Sequence, residues 1–371
     1  MPRMSSSGLP ALNLSGPFSS TGYGVVATHF LHQLVRAGVA VAAFPIGGQE
    51  VEERHGDSLR QSLSNAAFYD RKAPSLRIFH QWLLAQHVGK GPHVGFPIFE
   101  LDRFNAAELH HLRSQDALLV ASDWAKDVVE ANGIVTPTRV VPFGVDLEVF
   151  GPRPMPQTTT TTFLHCAKAE LRKGLFDVVE CFGRAFELTD DVRLILHCHN
   201  PFMPQARAAD YDREWRDFVR NSRLAEKILI TPGRFQTQRE VADLMAQTDC
   251  GLFPSRAEGW NLELMEMLAM GRPCIATDYS GHTGFCRVPG CRLIQIDALE
   301  SAYDGVYFHG QGSWARFGPE QQDQLIEHMR SVHAQKSMDV LLPLDAAAEA
   351  MREFSWVNVT GKLIRALTEV A

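Results

Sequence analysis

The chain has 371 residues, of which 45% are hydrophobic and 21% charged, with a formal net charge of −7. That length exceeds the ~250–300 residues at which single cores stop growing, so two domains are expected. The acidic balance argues against a general nucleic-acid binder, which is usually basic, and no apolar run approaches the ~20 residues a membrane span needs.

The N-terminal stretch "MPRMSSSGLPALNLSG" lacks the apolar core of a secretory signal. A cytoplasmic protein is therefore expected, with peripheral contact at the inner membrane face left open. The seven cysteines all follow residue 165 and read as reduced thiols. "CRVPGC" could be half of a metal site, but no second pair has matching spacing.

In chain order, "ALNL" (11–14) reads as a short strand, followed by the turn-rich loop "SGPFSSTGYG". "VVATHFLHQLVRAG" then places Val26, Phe30 and Leu34 on one helical face and ends at Gly38. "VAVAAF" (39–44), "SLRIFH" (75–80), "HVGFPIF" (93–99), "DALLVAS" (116–122) and "TRVVPFG" (138–144) read as further strands, with a helix capped near Ser122. Strands separated by helices imply a parallel sheet covered on both faces.

"GPRPMPQTTTTT" (151–162) is the clearest break in the chain. After it the alternation restarts through "TTFLHCAKA", "LFDVVECFGRAFEL", "VRLILHCH", the helix around "DREWRDFVRNSRL", "KILITPG", "QREVADLMAQ" and "CGLFPS". The expected fold class is α/β, with two Rossmann-like doubly wound domains facing a cleft. The expected division is 1–153 plus 354–371 for the first domain and 154–353 for the second. The last segment, "FSWVNVTGKLIRALTEVA", has Ser355 as an N-cap and an apolar stripe of Val359, Leu363 and Leu367.

One stretch poses a chemical question. From Leu262 to Met270 the sequence is almost all Leu, Met and Ala, good helix formers, and Gly271 and Pro273 stop the helix. Leu262, Met265, Glu266 and Ala269 share one face by their spacing. Glu266 thus lies on a helix expected to be buried, and an unpartnered buried carboxylate is costly. Either a structural partner such as Arg or a ligand must meet it.

Residues 230–285 resemble the donor-binding core of retaining glycosyltransferases of family 4 (glycosyl transferases group 1), which have the GT-B fold. The E-x7-E spacing matches at Glu258 and Glu266. "PFGVDLEVF" (142–150), "AKAELRKG" (167–174) and "STGYGVVATHFLHQLVRAG" are similar to further elements of that family. The "FSW" helix looks like the one that crosses back to the N-terminal domain there.

The resemblance implies roles position by position. Glu266 would accept hydrogen bonds from the ribose of a nucleotide-sugar donor, and Glu258 would sit near the transferred sugar. The turn Gly259, Trp260, Asn261 and Leu262 would offer backbone N–H groups at a helix N-terminus to the diphosphate. Lys173 would pair with the diphosphate, and Lys168 stands where the family usually has Arg. Gly22 and Gly24 would let the N-terminal loop approach the phosphates. Arg234 and Phe235 would meet the base, and His199 would line the donor pocket. In the first domain Glu100 stands at the end of the strand "HVGFPIF", where many members carry His. Glu100 is the expected catalytic carboxylate there, with Asp102 and His80 as weaker acceptor or sugar contacts. Two other departures are Phe143 for Asn and Asn261 for Gly.

The implied activity is transfer of a sugar from a UDP- or GDP-linked donor to a hydroxyl acceptor, with retention of anomeric configuration. The acceptor is left open among glycan, lipid-linked glycan, protein and small molecule. No DxD-like pair sits at a strand end of the second domain, so no metal and no cofactor beyond the donor is expected. Neighbouring strand residues alternate faces, which also disfavours a zinc site from His165, Cys166, His197, Cys198 and His199. The alternatives are an epimerase or phosphorylase-type enzyme on the same fold, or a non-catalytic nucleotide-sugar or glycan-binding protein. For Glu100 the plain alternative is a helix-start acid favoured by the helix dipole.

Overall fold

The computed structural model describes residues 8–370. The chain divides into two compact units. The first runs up to Val145 and takes in Ser280–Gly284 and the chain from Glu353 on; the second comprises Asp146–Tyr279 and Phe285–Arg352.

The first unit contains β1 (Ala11–Phe18), α1 (Gly22–Arg36), β2 (Ala40–Gln49), α2 (Glu53–Asn65), β3 (Ser75–His80), β4 (His93–Ile98), α3 (Ala106–Arg113), β5 (Ala117–Val120), α4 (Asp123–Ala131) and β6 (Thr138–Val140). Its strands form one parallel sheet in the order β2-β1-β3-β4-β5-β6. The apolar stripe expected for α1 is the buried one: Val26, Phe30 and Leu34 are all within 1% of full burial. Ser122 caps α4 by accepting from the backbone N–H of Ala125. α1 begins at Gly22, three residues before the predicted start, so Gly22 and Gly24 lie in its first turn rather than in an open loop. α2 and α3 escaped the sequence reading. α2 buries Leu59 as its one large aliphatic side chain, with small polar residues around it, so its periodicity is faint.

The second unit contains β7 (Thr161–Ala167), α5 (Leu175–Ala185), β8 (Val192–Cys198), α6 (Gln205–Arg220), β9 (Ile228–Ile230), α7 (Gln238–Ala246), β10 (Cys250–Phe253), α8 (Leu262–Ala269), β11 (Cys274–Thr277), β12 (Cys291–Ile294), β13 (Leu299–Tyr303), β14 (His309–Ala315), α9 (Pro319–Ser337) and α10 (Asp345–Met351). Six strands form a second parallel sheet, β12-β11-β10-β7-β8-β9, and β13 and β14 make a separate antiparallel pair. The core is a continuous cluster beneath α5 and α9, with Phe163, Phe182, Leu194, Leu252 and Leu325 at 0% exposure. α8 is buried almost all round, as its composition demanded. β7 starts at Thr161, so the proline-rich break ends slightly before its predicted limit.

The last helix, α11 (Trp356–Thr368), returns to the first unit. Ser355 caps it by accepting from the N–H of Asn358. Trp356 lies parallel to the His29 ring of α1 at 4.8 Å and edge-on to Phe30 at 5.2 Å. A Cβ at Gly144 would stand 2.6 Å from that indole, so this packing leaves room for glycine alone. No helix among the described residues is long and apolar enough to cross a membrane.

Candidate functional site

The strand order of the second sheet places its switch point between β7 and β10, which pair through Cys250 with Phe163 and Gly251 with Leu164. At such a point the loops leaving the two strands diverge and make a ligand crevice at the carboxyl edge. Here those loops are 168–174 and 254–261. They are sewn together. Gly174 has φ +79°, and a Cβ there would meet the Pro254 carbonyl oxygen at 2.6 Å. The Arg256 N–H donates to the Arg172 carbonyl at 2.7 Å. The Arg256 guanidinium donates to the Leu171 carbonyl at 3.1 Å and pairs with Asp177 of α5 at 2.7 Å.

A charged cluster occupies the junction. Lys173 Nζ lies 2.7 Å from Glu258 Oε1, and Arg172 Nη1 lies 3.1 Å from Glu258 Oε2. Arg172 also donates to the Ala257 carbonyl and pairs with Glu170 at 3.0 Å, which receives Lys168 on its other oxygen at 2.9 Å. Burial alone would raise the pKa of Glu258, but the adjacent Lys173 and Arg172 outweigh it and hold the carboxyl well below the usual range. For Lys173 burial pulls the other way, and Glu258 together with Glu263 more than restores it, so its pKa is raised. Three cations meet two carboxylates in these ion pairs, and Glu263 acts on Lys173 as well. Lys168 is the solvent-accessible member, 37% exposed against 8% for Lys173.

Glu266, on α8, is only 7% exposed. No hydrogen bond or ion pair reaches its carboxylate among the described residues. Its pKa stands well above the ordinary value, first through burial and then through the carboxylates of Glu263 and Asp146. The structural Arg partner weighed above does not exist among the described residues. Cys166, one residue before the end of β7, responds to both Glu266 and Lys173. Its thiol is pushed well up by burial, then by Glu263 and Glu266, while Lys173 acts in the opposite sense.

Between the two glutamates, Gly259 and Trp260 are buried and Asn261 is the N-cap of α8. Asn261 has φ +80°, a left-handed conformation that glycine and asparagine reach most readily. This is why Asn serves where the family pattern has Gly. Its Oδ1 accepts from the N–H of Leu264 at 3.3 Å, and its buried Nδ2 has no acceptor among the described residues. Leu262 opens the helix and is half-buried.

Near the end of β8, His197 stacks on Phe235 at 4.4 Å and bonds Thr231 at 2.8 Å. His199 packs edge-on against His197 at 5.3 Å, and its Nε2 has no partner among the described residues. Burial lowers the pKa of both imidazoles, to about 4 for His197. Arg234 precedes Phe235 and is half-buried. No group of three His, Cys, Asp or Glu side chains suited to a metal occurs among the described residues.

In the first unit Gly24 has its own local reason: a Cβ there would come within 2.6 Å of three Ser19 atoms, whereas Gly22 has open space. Glu100 and Asp102 follow β4 and are half-buried, and His80 closes β3. Glu100 lies five residues ahead of Asn105, the N-cap of α3, and it is Glu108 that completes the capping box there. Phe143 is a core residue, 6.5 Å from Phe30 and 5.3 Å from Phe96.

Sequence reasoning missed Arg172, Glu170 and His197 as a ring partner. Arg172 was legible only as the residue beside Lys173 in "ELRKG". That a guanidinium rather than a solvated chain stood there needed the fold of the neighbouring loop.

Residues 160–302 match the family model of glycosyl transferases group 1. No curated protein matches the chain. Among solved structures, the sucrose-phosphate synthase of Thermosynechococcus elongatus aligns with a TM-score of 0.69 at 15% identity, covering 97% of this chain and 100% of that one. A glycosyltransferase from Rickettsia africae aligns with a TM-score of 0.65 at 11% identity, covering 98% of both chains. The Anabaena HepE protein in complex with UDP-glucose gives 0.66 at 15% identity, covering 97% and 99%. At these identities the likeness shows the fold: two parallel six-stranded α/β sheets, as in GT-B glycosyltransferases.

Proposed function

We propose that this protein is a glycosyltransferase that moves a sugar from a nucleoside-diphosphate sugar to a hydroxyl acceptor, with retention of anomeric configuration. The observation that carries this reading is Glu266: a buried carboxylate with no partner among the described residues, on the helix that follows the loop holding Glu258 and its cations. A ribose diol supplies two hydroxyl donors, which is what that carboxylate lacks. The match of residues 160–302 to glycosyl transferases group 1 points the same way, and the HepE structure contains UDP-glucose.

In this reading the diphosphate lies over the loop junction. Lys168 swings to the phosphate oxygens, while Arg172 and Lys173 act from fixed positions, held there by Glu258. Backbone N–H groups around Asn261 and the Asn261 Nδ2 contribute further donors. Charge building on the departing diphosphate is met by groups already in place, which is where electrostatic catalysis gains most. Glu258 aligns these cations beside the transferred sugar. Phe235, stacked on His197, and Arg234 take the base, with His199 alongside, and Gly22 gives the first unit's α1 a bare N-terminal turn. The cations replace a metal, so the reaction runs without one. Glu100 orients the acceptor or takes its proton.

The test is a thermal-shift screen against UDP, GDP and their sugar conjugates, since a ligand that binds the folded state raises apparent stability. Release of free UDP or GDP in the presence of an acceptor, with the sugar found on the acceptor, is the confirming result. Absence of any shift with every nucleotide would overturn the reading.

A further inference from the structure

The first sheet has a switch point of its own. β1 lies between β2 and β3, so the chain diverges at the carboxyl ends of β1 and β3, where open α/β sheets take ligands. Three rings stand there: Tyr23 from the first turn of α1, His80 at the end of β3, and Trp82 in the short 3-10 turn Gln81–Leu83. The His80 and Trp82 rings are stacked, with centroids 4.0 Å apart and planes at 12°. Tyr23 lies edge-on to His80 at 4.6 Å. Its Oη is 3.2 Å from His80 Nδ1 and 3.2 Å from the carbonyl oxygen of Ile98, the last residue of β4. A carbonyl only accepts, so Tyr23 donates to Ile98 and receives from an Nδ1–H of His80. This chain of contacts fixes the imidazole, and the imidazole fixes the indole.

Trp82 nevertheless stays 47% exposed. An indole held rigid and left half in water does little for the core, but it offers a large contact area whose ordering is already complete. Polar groups belong to the same sheet edge: His80 is the register partner of Ile98, and Glu100 and Asp102 lie two and four residues beyond Ile98. An apolar partner would leave such groups poorly matched. A ligand with one C–H face and a rim of hydroxyls suits both. We propose that Trp82 is the platform of a saccharide-binding subsite, on which the C–H face of a sugar ring stacks while its hydroxyls meet the polar groups beside it. The acceptor is then a carbohydrate, an assignment that rests on the glycosyltransferase reading above.

Saturation-transfer NMR tests this directly with glucose, galactose, mannose, fructose, maltose and sucrose, each without nucleotide. At least one sugar should receive saturation on its ring C–H protons, at least roughly fivefold weaker in Trp82→Ala and largely kept in Trp82→Phe, as loss and retention of an aromatic face require. No signal from any sugar on the wild-type protein, or an equal signal from Trp82→Ala, overturns the subsite. So does a change in self-association by Trp82→Ala with sugar signals intact, which would make the indole a contact between copies. Should Trp82→Ala not fold, Trp82→Gln carries the same comparison. The UDP-glucose thermal shift, run on the same samples, separates the readings. A shift without sugar binding sinks only the subsite, and sugar binding without any nucleotide shift sinks only the donor reading.

Discussion

Replacing Glu266 by Gln removes a charge and keeps the shape. In the ligand-free protein the carboxylate has no donor among the described residues and is opposed by two other carboxylates, so the change costs no described contact and relieves a buried acid. The melting temperature should hold or rise at pH 7. Donor binding should suffer, because hydrogen bonds from hydroxyls to a charged acceptor contribute about 1.5–3 kcal/mol, or roughly 10- to 150-fold in Kd. At a UDP-glucose concentration of about 100 times the wild-type Kd, ligand stabilisation is about 2.7 kcal/mol; after a 100-fold loss it is about 0.4. For a unit of this size the thermal shift falls from about 5–10 °C to about 1 °C. The sign with pH is equally specific. A ribose diol favours the ionised carboxylate, whose pKa is raised in the free protein, so affinity for UDP-glucose should strengthen as pH rises through that raised pKa and weaken below it. UDP-glucose is the right probe, because its phosphate diester has no group titrating near neutrality. Isothermal titration across pH 5.5–8.5 reads the slope, and Glu266→Gln should flatten it. An unaltered Kd in folded Glu266→Gln refutes the ribose role.

Lys173→Met leaves Glu258 buried with one cation instead of two; the second unit should lose about 3–5 kcal/mol, read by urea unfolding, with Lys168→Met nearly silent in the same assay because its side chain is solvent-accessible. Turnover should persist in excess EDTA, since the fixed cations meet the diphosphate; complete loss restored by Mg2+ or Mn2+ would contradict that role. Glu100→Gln should lower turnover at least ~100-fold with donor affinity nearly unchanged, the lower scale for losing a proton-transfer group. The helix-start alternative is already set aside, because α3 begins at Ala106 behind the Asn105 cap and Glu108 completes its capping box; near-normal turnover in folded Glu100→Gln would instead mark Glu100 as a residue outside the chemistry.

The sheets were legible because parallel strands buried on both faces read as short apolar runs, and β3 lies at the residues predicted for it. The caps at Ser122 and Ser355 were legible because a hydroxyl before an apolar period has one economical use. What escaped was structure with a weak apolar signal. α2 buries few large side chains, and the region from β12 to α10 mixes short strands with a helix carrying eight of its nineteen residues as Gln, Glu, Asp or Lys. In the site, the spacing of Glu258 and Glu266 was visible, but their surroundings were not. Lys173 was expected to answer phosphate directly, whereas the fold commits it first to Glu258. That commitment depends on how the loops after β7 and β10 meet, and no local sequence pattern records it.

The two glutamates, eight positions apart, therefore sit in opposite electrostatic settings, and pH separates them. Glu258 has its pKa depressed by Lys173 and Arg172, so the stability it contributes is complete above the unfolded carboxylate value of about 4.3 and is lost as pH falls through its folded value. Glu266 has its pKa raised, so the protein is favoured by protonation there and loses that advantage as pH climbs from about 4.3 toward the raised value. One carboxylate is spent on holding cations still; the other is kept costly. A costly acceptor with no partner among the described residues, close in sequence to pre-paired cations, is the arrangement expected where stability is surrendered for a ligand. Glu266→Gln should flatten the limb of the stability curve that runs upward from about pH 4.3, and Glu258→Gln the limb below it. Interchanged effects of the two substitutions would place the ligand-facing carboxylate at 258 rather than 266.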